Sequence, residues 1–294
     1  MKDIIQKHPI IMIIVGVLGI SVSSILVRYS AAPSAVTAAW RLAWTVLLMT
    51  PLVLGKAGIR REIWQMGQKN LLMSIVSGLF LAVHFVLWFE SLRHTSVASS
   101  TTIVCTEVLW VSLGYWLFMK GKLSGKAILA ILVTFAGSVL ISVSDSGTGG
   151  SRFYGDILAL IAAVAVAAYT LIGRQVRAHV STTAYTYIVY TGCAAALAAV
   201  CIRQGYGFFG YGWESILVGF FLALFSTILG HSIFSWCLKY FSPSFVSASK
   251  LCEPVAAAAM AALLFGETMT LLQMAGSALI LGGVLFYSLT EKTA

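Results

Sequence analysis

Charge is what this chain has least of: Asp, Glu, Lys and Arg make up 10% of its 294 residues, against roughly a quarter in a soluble domain. A water-exposed surface cannot be covered with so little charge, so a soluble globular fold is excluded. The five cysteines, Cys105, Cys193, Cys201, Cys237 and Cys252, all lie in apolar runs and form no CxxC or other metal-ligand spacing, so they read as core residues and no metal is expected. No HExxH, no GxSxG and no paired aspartates occur within the apolar runs, which leaves an intramembrane enzyme without a nucleophile or metal constellation. No P-loop is present either, so ATP does not drive the protein directly and no cofactor is implied. The net charge of +9 invites a nucleic-acid reading, but the basic residues form no single patch interleaved with aromatics.

What is abundant is apolar: 59% of residues and a mean hydropathy of +0.93. Apolar segments fall at 9–30, 34–55, 70–92, 96–118, 124–143, 154–174, 181–202, 213–236, 244–264 and 270–289, each near the roughly 20 residues that span a bilayer. The expected fold is an all-α membrane protein of ten transmembrane helices. The first segment follows Lys2 and Lys7 and resembles a signal peptide, but its apolar core exceeds the usual length of roughly 7–15 residues and it is taken as a retained helix. With the N-terminus inside, the cytoplasmic ends hold Lys2, Lys7, Lys56, Arg60, Arg61, Lys69, Lys120, Lys122, Lys126, Arg174, Arg177, Lys239 and Lys292. The outer loops hold only Arg93, Arg152 and Arg203. The positive-inside rule therefore puts both termini in the cytoplasm and accounts for the basic excess without nucleic acid.

The chain also repeats itself. An offset of 146 places Arg28 on Arg174, Leu92 on Leu238, Ser96 on Ser242 and Glu107 on Glu253. An offset of 145 then places GKLS at 121–124 on GETM at 266–269, and GSVL at 137–140 on GGVL at 282–285. Two five-helix units, 1–146 and 147–294, are expected, joined by the soft linker DSGTGGSR at 145–152. Five is odd, so the second unit enters from the opposite side: an inverted repeat, the architecture of alternating access around a midplane site.

Two charges and a helix breaker stand inside the ninth segment, SASKLCEPVAAAAMAALLFGE. Counting from Ser244, Glu253 lies roughly 15 Å deep, mid-membrane, and Glu107 reaches a similar depth from Val97. Such charges face a cavity or one another. Lys250 and Glu253, spaced i, i+3, share a helix face and could pair. Pro254 disturbs the helix and frees a carbonyl in the preceding turn, acting as a structural kink. The trio reads either as a self-neutralising packing kink or as the lining of a translocation cavity.

Other candidates share that inventory. Arg41, in TAAWRLAW, either holds a carboxylate with its bidentate fork or snorkels to the outer interface. His84, in LAVHFVLWFE, and His231, in ILGHSIF, read as site residues or as satisfied packing residues. Glu90 and Arg28 lie near outer helix ends, as gate or interface charges. Tyr185, Tyr187 and Tyr190 and the SSTT at 99–102 line a wet cavity or hold helices together by hydrogen bonds. Trp88, Trp110 and Trp236 are aromatic walls or interface anchors.

With these residues in view, YFSPSFVSASKLCEPVAAAAMAALLFGETMTLLQMAGSALILGGVLF resembles the signature of the EamA branch of the drug/metabolite transporter superfamily. In that branch an EP in the penultimate helix precedes an LxGE turn and a Gly-rich last helix. The first half echoes it in SLRHTSVASSTTIVCTEVLWVSLGYWLFMKGKLSGKAILAILVTFAGSVLI, and AAWR matches the Arg commonly found in helix two. Two departures stand out. Val108 replaces Pro254, which predicts a kink in one half only, and Lys122 replaces Glu267. The resemblance implies a multi-pass protein of a bacterial-type inner membrane, an exporter of amino acids or related polar metabolites. The charges agree with a zwitterionic solute: Arg41 or Lys250 meeting a carboxylate, Glu107 meeting an ammonium group or carrying a coupling proton. The substrate-site set is thus Arg41, His84, Trp88, Glu107, Tyr185, Tyr190, His231, Lys250 and Glu253. Efflux of organic cations or drugs, and uncoupled facilitation, are the alternatives. A monomer is the default, since one chain carries both repeats.

Overall fold

The computed structural model describes residues 9–95, 97–121, 124–144, 150–265 and 271–290, which are helical and contain no strand among them. Linker residues 145–149, Lys122 and Glu267 lie outside the described residues. In chain order the helices are α1 (Pro9–Arg28), α2 (Ser34–Gly55), α3 (Ala57–Gln65), α4 (Gln68–His94), α5 (Val97–Val104), α6 (Glu107–Met119), α7 (Gly125–Ser144), α8 (Gly150–Arg177) and α9 (Thr182–Arg203). They continue as α10 (Trp213–Phe221), a π-helical stretch (Leu222–His231), α11 (Ser232–Cys237), α12 (Pro243–Ser249), a 3₁₀ turn (Lys250–Cys252), α13 (Glu253–Phe265) and α14 (Leu271–Thr290). Among the described residues seven stretches are long and apolar enough to cross a membrane, and Gly125–Gly137 and Met274–Tyr287 are shorter apolar helices. α3 was not foreseen in the sequence.

Local chemistry sets the boundaries. Pro9 occupies the first turn of α1, where a missing N–H goes unneeded. Ser181 caps α9 by accepting from the Ala184 N–H, and Ser242 caps α12 in the same way from Phe245, with Pro243 following. Between α9 and α10 the chain turns through Gly205, Gly210 and Gly212, all at positive φ.

The packing is exchanged between the two halves. α1 runs along the π-helical stretch of the second half, and α8 runs along α4 of the first. α4 packs on α9 while α10 packs on α2, and α1 touches α13 while α8 touches α6. The remaining elements pair with their own counterparts, α2 with α9, α7 with α14, and the half-helices α5 and α6 with α13 and α12. This pattern fits an inverted repeat related by a twofold axis.

Glycines permit the close approaches. A Cβ on Gly137 in α7 would sit 2.6 Å from the Gly276 carbonyl oxygen in α14, and one on Gly283 would collide in return with Thr134. One on Gly19 in α1 would stand 2.7 Å from the Phe225 carbonyl oxygen in the π-helical stretch. With little hydrophobic drive between helices in lipid, such backbone proximity is what packing energy depends on.

Replacing Gly137 with Val should therefore lower stability by about 1–3 kcal/mol, the usual overpacking range. Gly125→Ala, where nothing lies within 4 Å of the added Cβ, should not. Thermal unfolding of the purified protein in one detergent compares the two.

Candidate functional site

The two central helices are broken at matching places. In the second half the break is the 3₁₀ turn Lys250–Cys252, just before Glu253 and Pro254. Pro254 has no N–H to give the Lys250 carbonyl, which accepts instead from the Glu253 N–H and, at 3.8 Å, from Cys105 Sγ. The carbonyl expected to be free for a ligand is thus engaged within the protein. In the first half the helix breaks at Cys105–Thr106, where Thr106 and Leu109 bond three residues back, to Ile103 and Thr106. The expectation of a kink in one half only is corrected: without a proline, the first helix breaks through i to i+3 bonding at the same place.

Of the two openings that the sequence left to Lys250, pairing with Glu253 is not the one taken. Lys250 Nζ donates to Glu107 Oε1 at 2.8 Å, with both side chains less than a tenth exposed. The i, i+3 expectation assumed an unbroken helix. Across the actual break, Lys250 reaches the antiparallel half-helix and joins the two repeats. Glu253 is buried and has no hydrogen bond or ion pair among the described residues, so it is the uncommitted acid.

Arg41 is wholly buried, which excludes snorkelling. Its Nε donates to Thr227 Oγ1 at 2.7 Å, one terminal nitrogen contacts Ser23 Oγ at 3.3 Å, and the other, Nη2, has no partner. The guanidinium lies 4.1 Å from the Phe85 ring centroid, a cation–π geometry. The π-helical stretch sets this arrangement. Thr227 Oγ1 lies 3.3 Å from the Leu222 carbonyl oxygen and Ser232 Oγ 3.1 Å from that of Thr227, both five residues back. π-turns gather at functional sites.

Aromatic residues form the wall. His84 stacks on Trp88, with ring centroids 5.7 Å apart, and its Nδ1 lies 3.1 Å from the Ala162 carbonyl oxygen. His231 stands edge-on to Phe85 at 5.3 Å and to Tyr169 at 6.0 Å. Trp88 Nε1, Ser226 Oγ and His231 Nδ1 are buried without partners. All these groups converge on one chamber lined by Arg41, His84, Trp88, Glu107, Ser226, His231, Lys250 and Glu253 among others. It encloses about 30 Å³, enough for a water or two. Two larger grooves, one beside Trp116 and one beside Phe209, are apolar and bring no charged groups together.

The chamber thus gathers seven of the expected site residues: Arg41, His84, Trp88, Glu107, His231, Lys250 and Glu253. Tyr185 and Tyr190 lie outside its lining, with Tyr185 bonded to Ser77 at 2.7 Å and Tyr190 to Ser232 at 3.0 Å. In the SSTT stretch, Ser100 bonds to Ser91 at 2.9 Å. Glu90 accepts from Ser34 at 2.8 Å and meets His94 at 3.3 Å, tying the end of α4 to the start of α2. Trp110 is exposed, and Trp236 meets Tyr240 at a tilt, with ring centroids 4.4 Å apart. Ser23, Ser226 and Thr227 escaped the sequence reading, because an isolated Ser or Thr in an apolar run carries no signal until the helices are placed.

Two matched helical halves around a closed, charged chamber define a membrane transport protein. The EamA-like transporter family model matches residues 7–143 and again 153–289, and the chain belongs to that family. It is 26% identical over 208 residues to an uncharacterized transporter of Clostridium kluyveri, covering 69% of this chain and 67% of that one. It is 25% identical over 233 residues to the uncharacterized transporter YxxF of Bacillus subtilis, covering 76% and 71%. A solved crystal structure matches with a TM-score of 0.76 at 17% identity, over 96% of this chain and 97% of the other, which supports the fold.

Removing Lys250 leaves Glu107 buried and unpaired, so Lys250→Met should destabilise by about 3–5 kcal/mol. The double variant Lys250→Met/Glu107→Gln should regain most of that loss. A double-mutant cycle on unfolding midpoints checks this, and simple additivity would show the pair to be energetically uncoupled.

Proposed function

We propose that this protein is a secondary active transporter exporting amino acids or related zwitterionic polar metabolites by alternating access around the central chamber. One observation carries the reading: the same chamber presents an unpartnered guanidinium nitrogen of Arg41 and the buried carboxyl group of Glu253. A zwitterion meets both, its carboxylate on Arg41 Nη2 and its ammonium on Glu253. Trp88 Nε1 and Ser226 Oγ, also without partners, supply further bonds to the carboxylate. Glu107, held by Lys250, couples the two halves instead of binding substrate.

The setting we infer is a bacterial-type inner membrane crossed ten times. The repeats, 1–146 and 147–294, are inverted and both termini are cytoplasmic. The distribution of Lys and Arg supports that side, and the exchanged packing supports the inversion. A proton is the coupling ion this chemistry favours, since intramembrane carboxylates serve as proton relays. One chain supplies both halves of the chamber, so a monomer suffices. The family and the names of its relatives support a transport role instead of an enzymatic one.

The chamber is too small for an amino acid as it stands, so binding must widen it, and ligand should register as stability. A ligand at 100 times its Kd adds about 2.7 kcal/mol to the native state. Thermal unfolding against panels of amino acids, organic cations and organic anions should give a shift with zwitterions, lost in Arg41→Lys and in Glu253→Gln. Stabilisation by organic cations alone, lost in Glu253→Gln and kept in Arg41→Lys, would replace this reading with drug efflux. In vesicles, a pH gradient should drive accumulation of the stabilising solute; equilibration without accumulation would mark an uncoupled facilitator.

A further inference from the structure

The short helix α3 has no counterpart in the second half. It lies in the link between α2 and α4, whereas the matching link between α9 and α10 is a glycine-rich turn with no helix. α3 has two faces. Ile59 and Ile63, with Met66 just beyond, pack against the main core. Arg60, Arg61 and Trp64 face away, and Trp64 is 87% exposed. A tryptophan that open to solvent on a basic, amphipathic helix is the signature of a membrane-interface element.

Charge points to the occupant. Between positions 56 and 70 stand Lys56, Arg60, Arg61 and Lys69 against one acid, Glu62. That acid is engaged by the protein: its carboxylate accepts from the Ser181 backbone N–H at 2.6 Å and from the Ser181 hydroxyl, at the start of α9. The link therefore sets four basic groups against one carboxylate that is already hydrogen-bonded. Beside it opens a cavity of about 340 Å³ lined by Arg61, Gln65, Asn70 and His179 among others, and by Glu62, whose carboxylate is taken up by Ser181. This is the chemistry of a phosphodiester headgroup: anionic oxygens for Arg61, further donors in Gln65 and Asn70, and acyl chains running past Trp64.

We propose that α3 and this cavity form a docking site for anionic phospholipid headgroups of the bilayer leaflet on the basic side of the protein. Occupied, the site holds α3 down and with it the Glu62 cap on α9, so lipid composition bears on the packing of a helix that lies against α2 and α4. The proposal goes beyond the transport reading and needs neither the substrate nor the sidedness given above.

The test uses the full chain in nanodiscs of phosphatidylcholine, with and without phosphatidylglycerol, which present the same lipid to both faces. Phosphatidylglycerol should raise the unfolding midpoint. Arg61→Gln should remove most of the gain, Lys56→Gln and Trp64→Ala should reduce it, and Arg203→Gln in the opposite link should leave it intact. Each basic residue removed should weaken affinity for the anionic surface roughly fivefold, and raising salt should erode the gain. Equal midpoints in both lipids would overturn the proposal. So would the same gain from inorganic phosphate in phosphatidylcholine discs, which would mark a soluble anion site, or equal sensitivity to Arg203→Gln. Zwitterion-induced shifts in the Arg61→Gln variant should match those of the parent, which keeps this outcome separate from that of the transport reading.

Discussion

The rest of the structure depends on one constraint: a charge in hydrocarbon must find its partner inside the protein. Lys250 and Glu107 meet it at 2.8 Å across the two repeats, each standing where its own helix is broken. The break and the pair explain one another. An unbroken helix would hold Lys250 beside Glu253, and the two halves would then lack their central ionic contact. Replacing either partner strands the other in the core, a penalty far larger than that of any surface pair.

Around that contact, polar groups are paired by elements from opposite halves. Arg41 of α2 rests on Thr227 of the second half, Ser77 of α4 bonds to Tyr185 of α9 at 2.7 Å, and His84 Nδ1 of α4 lies 3.1 Å from the Ala162 carbonyl oxygen of α8. Close backbone contacts at Gly19 and Gly137 bring the helices near enough for such short side chains to reach. The few polar atoms left without partners are mostly scattered, but Arg41 Nη2, Trp88 Nε1, Ser226 Oγ and His231 Nδ1 share one chamber. Buried polar atoms rarely go unmatched, and these four around one cavity are what the proposed binding role builds on.

Much of this was legible in the sequence, for physical reasons. Hydrophobic runs of bilayer length announce helices, and the offset of 146 that superimposes Glu107 on Glu253 announced two central, related carboxylates. Arg41, His84 and Lys250 stood out because charge is rare in such runs. Pairing was not legible, because i, i+3 spacing holds only for an unbroken helix and Pro254 marked only one of the two breaks. The π-helical stretch was hidden as well, since a wider turn leaves no trace in composition, and with it went Thr227 and Ser226. α3 was passed over because nine residues with two adjacent arginines read as a loop until Ile59 and Ile63 are seen against the core.

The smallness of the chamber has an energetic meaning. It has room for a water or two, with its charged groups held close around that space. Opening the chamber around a solute then draws on binding energy, so the apparent affinity falls below the intrinsic affinity of the widened site. A site of this kind exchanges tightness of binding for ease of release, because the work of widening it is returned when the solute leaves.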